Sequence, residues 1–435
     1  MSKTQWAEFG RLLRDKRTAA GLSRVQLARR AKLSDATIKF AETARHPPSR
    51  ATLIRLIGVA ELKLHWAEVP GRPAPPAQAP SGPPPRLEVA GMRSSLNCLL
   101  APSYDPLSLV ADLARFLQGA GGYLEQSSAY LDPGSAAAYL ALCQHSFPST
   151  ALRRCLPLGE VAQQIVASGP GPLQVIALGA GDGISETQLV GHLMESGASG
   201  VELCLLDISH PLLTSAYRHA VDRLARQPQV HVWALQGNFH HVPLYTALHR
   251  PPASRQRRLL TMLGGTLAHL DHEPRFLQQS LLDCQVDDLL LLDLPLASAP
   301  CTDRAEIKRR DRLFSGGVPA PYAAWLAGPI WRHCPQAKEV DFHWELETQC
   351  PVPGSYALHA VATVKSALRA DRQFSLFRMA RYDPSQLALC LSDLGWEELG
   401  AMLYGGEQSL RLYRKRDPGI RVAPSEAHVL ARRHG

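Results

Sequence analysis

Val175-Ile-Ala-Leu-Gly-Ala-Gly-Asp-Gly183 is an apolar run that breaks into three alternating glycines, and its reading decides the fold of most of this chain. Such a run, bounded by glycine, predicts a strand buried on both faces. Glycine is required where the backbone turns tightly and approaches a ligand with no Cβ in the way. A helix is expected from near Ser185. The next apolar run, Leu203-Cys-Leu-Leu-Asp-Ile-Ser209, ends in Asp207, an acceptor placed beside the glycine loop for ribose hydroxyls. Strand, glycines and acid together define a nucleotide-type site, with Gly179, Gly181, Gly183 and Asp207 as its candidate residues.

Outward from this stretch, short apolar runs recur at residues 173–178, 201–206, 230–235, 259–263 and 289–293, mostly separated by enough chain for a helix. That alternation predicts a parallel sheet with helices on both faces. Residues 356–364 and 409–413 alternate with period two, as expected of strands near a sheet edge. Upstream, 107–117, 136–143 and 158–166 read as helices, punctuated by glycine and proline. The stretch 70–86, PGRPAPPAQAPSGPPPR, has eight prolines, which fix φ and remove donors, so it reads as a semi-rigid spacer. The expected domains are an all-α module at 1–69, this linker at 70–86, a helical segment at 87–168 serving as substrate lid or dimerisation element, an α/β Rossmann-like domain at 169–416, and a tail at 417–435.

In the first module Phe9, Leu12, Leu13, Leu22, Val25, Leu27, Ala28, Leu33, Ile38, Leu53, Leu56 and Ile57 fall at helical spacings. Gly21-Leu22-Ser23 supplies a helix stop and then a start, and Ser34 or Asp35 opens a third helix running to about Ala41. Leu22-Ser-x-x-Gln-Leu-Ala28, Leu33-Ser-x-x-Thr-Ile38, Glu42 and Pro48-Ser49 resemble the Cro/phage-repressor-type helix-turn-helix family. The resemblance implies double-stranded DNA as partner, with Arg24 on phosphate, Asp35, Ala36, Thr37 and Lys39 toward base edges, and Arg29, Arg30 and Arg45 near the backbone. Readers of this kind usually act as dimers on paired half-sites. Charge agrees with a polyanion partner at this end. Residues 1–69 hold 14 Lys+Arg against 6 Asp+Glu, while the remainder balances at 33 against 33.

The glycine spacing departs from the Gly-x-x-Gly of dinucleotide dehydrogenases and matches sites for S-adenosylmethionine. Gln236-Gly-Asn-Phe239 resembles the methyltransferase segment whose Asp or Asn reads the adenine amino group, which implies Asn238 in that role. Leu260-Thr-Met-Leu-Gly-Gly-Thr-Leu-Ala-His-Leu270, Glu273-Pro-x-Phe-Leu277, Asp287 to Asp293, Phe374 to Ala380 and Leu394-Gly-Trp396 resemble the histidine Nα-methyltransferase family of ergothioneine biosynthesis. That likeness implies S-adenosylmethionine as cofactor and an amine as methyl acceptor. At the family's substrate asparagine this chain has Gly265, Thr266 and then His269, the candidate base; a hydrogen-bonded loop histidine is the other reading.

Several classes are excluded. No Pro-Pro-aromatic loop follows the fourth strand, so methylation of a DNA base is not expected. His240-His241 and His269-x-x-His272 lack zinc-ligand spacing, and no metal is expected. Nine scattered cysteines without a Cys-x-x-Cys pair read as reduced thiols. No apolar run has the length of a signal peptide or membrane span, so a soluble cytoplasmic protein is expected. The composite reading is a DNA-binding regulator whose methyltransferase-like domain senses a metabolite; the alternative is an active small-molecule N-methyltransferase that also binds DNA.

Overall fold

The structure is a computed structural model, described here for residues 3–31, 33–43, 50–57, 59–62, 64, 98–101, 106–119, 121–124, 126–144, 155–245, 248, 256–281, 284–311, 317–366 and 370–416. It divides into two compact units, Met1–Ser95 and Leu96–Gly435. The proline-rich stretch and the C-terminal tail lie outside the described residues.

In the first unit α1 (Lys3–Ala19), α2 (Arg24–Ala31), α3 (Asp35–Thr43) and α4 (Arg50–Ile57) surround Phe9, Leu13, Leu27, Ile38 and Leu56, all at most 2% exposed. Gly21 takes φ +66° between α1 and α2. Ser23 and Gln26 then cap α2 reciprocally, Gln26 N donating to Ser23 Oγ (3.2 Å) and Ser23 N to Gln26 Oε1 (2.8 Å). Of the two candidate caps for α3, Ser34 is the one used, its Oγ accepting from Thr37 N at 3.0 Å. α1 crosses α3 so closely that a Cβ on Gly10 would lie 2.6 Å from Glu42 O. One residue read as core is not: Val25 is 51% exposed, because it sits on the solvent side of α2, away from Leu27, Ala28 and Ala31.

Glu42, 6% exposed, ends this crossing and takes Arg17 Nε at 2.5 Å and Nη2 at 3.3 Å, while Arg17 Nη1 donates to Leu22 O at 2.7 Å. One ion pair thus joins α1, the turn before α2 and the end of α3.

The second unit is built on an eight-stranded sheet ordered β1-β5-β4-β3-β6-β7-β12-β11. Its strands are β1 (Cys98–Leu100), β3 (Leu173–Leu178), β4 (Val201–Asp207), β5 (Val230–Gln236), β6 (Arg257–Met262), β7 (Leu289–Pro295), β11 (Trp396–Tyr404) and β12 (Gln408–Lys415). The expected parallel sheet is present from β1 to β7, but β12 pairs antiparallel to β7 and β11 antiparallel to β12, so the sheet is mixed. Successive residues alternate between two cores: Ile176, Leu178, Cys204, Leu206 and Leu260 on one face, Val175, Ala177, Leu203, Leu205 and Leu259 on the other. This explains the continuous apolar runs, since strands covered on both sides carry no polar face.

A second sheet, β2-β10-β9-β8, consists of β2 (Gly122–Tyr123), β8 (Ala337–Glu347), β9 (Tyr356–Ser366) and β10 (Arg372–Arg381). One of its faces packs Ala360, Ala362, Val364, Phe374, Leu376 and Phe377 against helices α5 (Pro106–Gln118), α6 (Pro133–Gln144) and Ala320–His333. The expected helical segment therefore covers this sheet. β8 was not anticipated, although Val340, Phe342, Trp344 and Leu346 alternate with charged residues along it.

In the large sheet the strand order reverses at β3, which has β4 on one side and β6 on the other. Connections leave its carboxyl end in opposite directions there, opening a crevice suited to a ligand. Among the described residues no helix is long and apolar enough to cross a membrane.

Replacing Glu42 with Ala strands a part-buried guanidinium, and is expected to destabilise the first unit by about 3 kcal/mol. Calorimetric melting should show the loss confined to that unit's transition.

Candidate functional site

The glycine loop leaves β3 at the strand-order reversal. Gly179, Gly181 and Gly183 all hold positive φ (+74°, +57° and +70°), a region that side chains bearing Cβ rarely enter. Their surroundings differ. A Cβ on Gly183 would lie 2.7 Å from Ala216 Cβ, so that glycine serves the packing of helix Ile184–Glu195 on His210–Leu224. At Gly181 a Cβ would meet Tyr139 Oη at 3.4 Å, and at Gly179 Thr266 Cγ2 at 3.1 Å.

Asp207 ends β4 with 5% exposure. Its Oδ2 accepts Gly181 N at 2.9 Å and its Oδ1 accepts Ser209 N at 2.8 Å. Burial outweighs these donors and pushes the carboxyl from 3.8 up to about 6. Beside it, Ser209 Oγ is buried without a hydrogen-bond partner. A desolvated carboxylate with spare lone pairs and an unsatisfied hydroxyl are groups that a sugar diol would complete. The site therefore fits an adenosyl moiety.

Asn238 caps the short helix Phe239–Leu244, with Oδ1 accepting His240 N at 2.9 Å, so one of its acceptor lone pairs already has structural work. Its carbonyl accepts Tyr245 Oη at 2.6 Å. His269 ends the turn Thr266–His269 half-buried, its ring 5.0 Å from that of Phe377. Its Nδ1 lies 2.8 Å from Arg378 O. A carbonyl only accepts, so Nδ1 carries the proton and Nε2 is the basic nitrogen of the neutral ring.

Three groups to which the sequence reading assigned no role organise this region. Asp293, at the end of β7, takes Gly264 N at 2.9 Å and Tyr404 Oη. Arg378, 2% exposed, pairs with Glu273 at 2.7 Å, reaches Glu347 at 3.3 Å and donates to Leu270 O beside His269. Burial opposes its charge, but the Glu273 carboxylate more than compensates and raises its pKa. Tyr130, Tyr139 and Trp325 form a cluster with ring centroids 5.1–5.3 Å apart, and Trp325 joins Phe377 at 5.7 Å. Trp325 Nε1 is buried without a hydrogen-bond partner. The one local signal was an acid at the end of a strand, Asp293; the aromatic residues come from three separate elements.

The residues expected to face DNA belong to the other unit. Arg24, Arg29, Asp35, Ala36 and Lys39 are exposed on α2 and α3, with Arg24 Nε 3.9 Å from Asp35 Oδ1. Thr37 is half-buried, its Oγ1 2.8 Å from Ser34 Oγ. Arg30 is exposed and pairs with Glu61. Arg45 lies outside the described residues.

Residues 8–63 match a helix-turn-helix domain family, and residues 157–301 match the family described as histidine-specific methyltransferase, SAM-dependent. No curated protein matches the chain. Similar solved structures include an S-adenosylmethionine-dependent methyltransferase from Clostridium acetobutylicum ATCC 824, at 9% identity and TM-score 0.32 over 59% of this chain and 89% of that one. Magnesium protoporphyrin IX methyltransferase from Synechocystis PCC 6803 aligns at 12% identity and TM-score 0.36 over 66% and 97%. An amino pentose methyltransferase from Micromonospora echinaspora aligns at 12% and 0.29 over 59% and 90%.

Because the free carboxyl titrates near pH 6, affinity for S-adenosylmethionine is expected to be flat above that value and to fall about tenfold per pH unit below it. Calorimetric titration across pH 5–8 checks this. The raised value also means that the folded state holds this proton more tightly than the unfolded chain, so the group's contribution to stability is fully present below about pH 4 and is lost as pH rises through about 6. Sequence, geometry and family matches meet in one assignment: the chain carries a helix-turn-helix DNA-binding domain at residues 8–63 and an S-adenosylmethionine-dependent methyltransferase domain matched over residues 157–301.

Proposed function

We propose that this protein is a transcriptional regulator of the cytoplasm, binding paired DNA half-sites as a homodimer, in which the methyltransferase-type domain senses S-adenosylmethionine or a related metabolite. The carrying observation is the intact glycine loop and Asp207 in one chain with an exposed, basic helix-turn-helix surface. In this reading Gly179, Gly181 and Gly183 shape the cradle, Asp207 holds the ribose hydroxyls and Asn238 accepts from the adenine amino group through its remaining lone pair. Arg24, Arg29, Thr37 and Lys39 engage DNA, with Asp35 at the helix start and Arg45 near the backbone. A ligand alters DNA affinity only by binding two states of the protein unequally, so sensing requires such a difference.

A second reading has one observation in its favour. The bond from His269 to Arg378 O sets the tautomer that a general base for an amine would need. S-adenosylmethionine supplies an activated methyl group when bound; His269 Nε2 would take the proton released by a small amino-acid-like amine.

Titration of the full chain with S-adenosylmethionine is expected to release heat and to change affinity for its own upstream DNA by about fivefold or more. Asp207→Ala should abolish both effects while leaving DNA affinity without ligand unchanged. Methyl transfer from labelled S-adenosylmethionine to amino-acid amines, lost in His269→Ala, would replace the sensor reading with the enzyme reading.

A further inference from the structure

Three strands of the second sheet each contribute one polar side chain to a single hydrogen-bonded chain. On β10, Ser375 stands between Phe374 and Leu376, which enter the apolar core, so its hydroxyl lies on the opposite face. On β9, His359 stands in the same way between Leu358 and Ala360, both buried. His359 Nδ1 lies 2.9 Å from Ser375 Oγ, and its Nε2 lies 3.0 Å from Glu347 Oε2 at the end of β8. An ionised carboxylate only accepts, so Nε2 carries the proton of the neutral ring and Nδ1 accepts from the serine hydroxyl. Glu347 is ionised, because the His359 hydrogen bond, aided by the Arg378 charge, holds its carboxyl below the usual range against the effect of burial. The residue directly opposite His359 is Glu345, which instead lies 3.1 Å from His343. Arg378 Nε, 3.3 Å from Glu347 Oε2, holds the diagonal carboxylate toward the ring.

A hydroxyl bonded to an imidazole that a carboxylate orients is the arrangement of an activated nucleophile. Two further features exceed a polar tie between strands. The side chains of His359 and Glu347 are 17% and 36% exposed and Ser375 is half-buried, so the group is neither sealed in the core nor fully hydrated. The register of β10 with β9 also shifts between Ser375 and Phe377, which leaves Leu376 without a paired residue. The amide that follows a nucleophilic serine is one on which the oxyanion of acyl transfer settles. We infer that Ser375, His359 and Glu347 form a second reactive site, on the face of this sheet opposite Phe377, that cleaves small carboxylic esters. Ser375 Oγ bonds to the ester carbonyl carbon as its proton passes to His359 Nδ1, and Glu347 balances the imidazolium charge. The Leu376 amide receives the oxyanion. His359 then gives its proton to the departing alcohol oxygen as the ester bond breaks, leaving an acyl-serine. Water repeats both steps on that acyl group, releasing the carboxylic acid and restoring the hydroxyl. Neither half needs S-adenosylmethionine, so this chemistry is independent of the sensor and methyl-transfer readings.

The test uses the full-length chain, with p-nitrophenyl acetate as ester and a fluorophosphonate as serine-trapping reagent. Wild-type protein is expected to take up one phosphonyl group, located at Ser375 by peptide mass spectrometry, and to release p-nitrophenol at least about 100-fold faster than Ser375→Ala. His359→Gln should lose both reactions, and Glu347→Gln should slow both about tenfold or more. A purely structural tie between strands would leave wild-type Ser375 unlabelled, or give equal hydrolysis in wild type and Ser375→Ala, and either result overturns the inference. Labelling at a different serine overturns it as well. The labelling of wild-type protein needs no substitution, so it decides the matter even where Ser375→Ala fails to fold.

Discussion

The second unit depends on one buried carboxylate. Asp207 ends β4, and its two oxygens hold amides from different segments, Gly181 in the loop after β3 and Ser209 at the start of the helix after β4. Taking a carboxylate out of water costs several kcal/mol, which two main-chain donors only partly repay. The displaced pKa is the visible remainder of that cost.

Around that carboxylate the polypeptide builds two distinct environments. On one side lie main-chain amides and the three positive-φ glycines of the loop after β3. Toward the second sheet, Arg378 gathers Glu273, Glu347 and the carbonyl of Leu270, and its own carbonyl orients His269. The aromatic group of Tyr130, Tyr139 and Trp325 closes the same side, with the Tyr139 hydroxyl against Gly181. The helical segment before β3 thus contributes directly to the cofactor loop's surroundings. Its phenol and indole groups offer a chemistry different from a site that grips a polar amino acid by charge.

The first unit follows a simpler logic. Its helices are short, so their stability comes from packing around Phe9, Leu13 and Ile38 and from caps at Ser23 and Ser34. The Arg17–Glu42 pair fixes the crossing of α1 over α3. What remains outward on α3 is decided by which residues that crossing buries. A periodic pattern placed Val25 among core positions, yet it lies on the solvent side of α2, away from Leu27, Ala28 and Ala31.

Sequence by itself determined the local features: the five parallel strands, the positive-φ glycines, the acid closing β4 and the capped helices of the first unit. Each is encoded within a few residues, through apolar period, absent Cβ or a side chain that bonds its own backbone. Only tertiary structure decided the antiparallel insertion of β12, the placing of Tyr139 at Gly181 and the bonds of Arg378 and Asp293. The bonds of Tyr404 to Asp293 and of Arg378 to Glu273 join partners more than a hundred residues apart. No local period or spacing carries that information, because side chains so distant meet only after the sheets have packed.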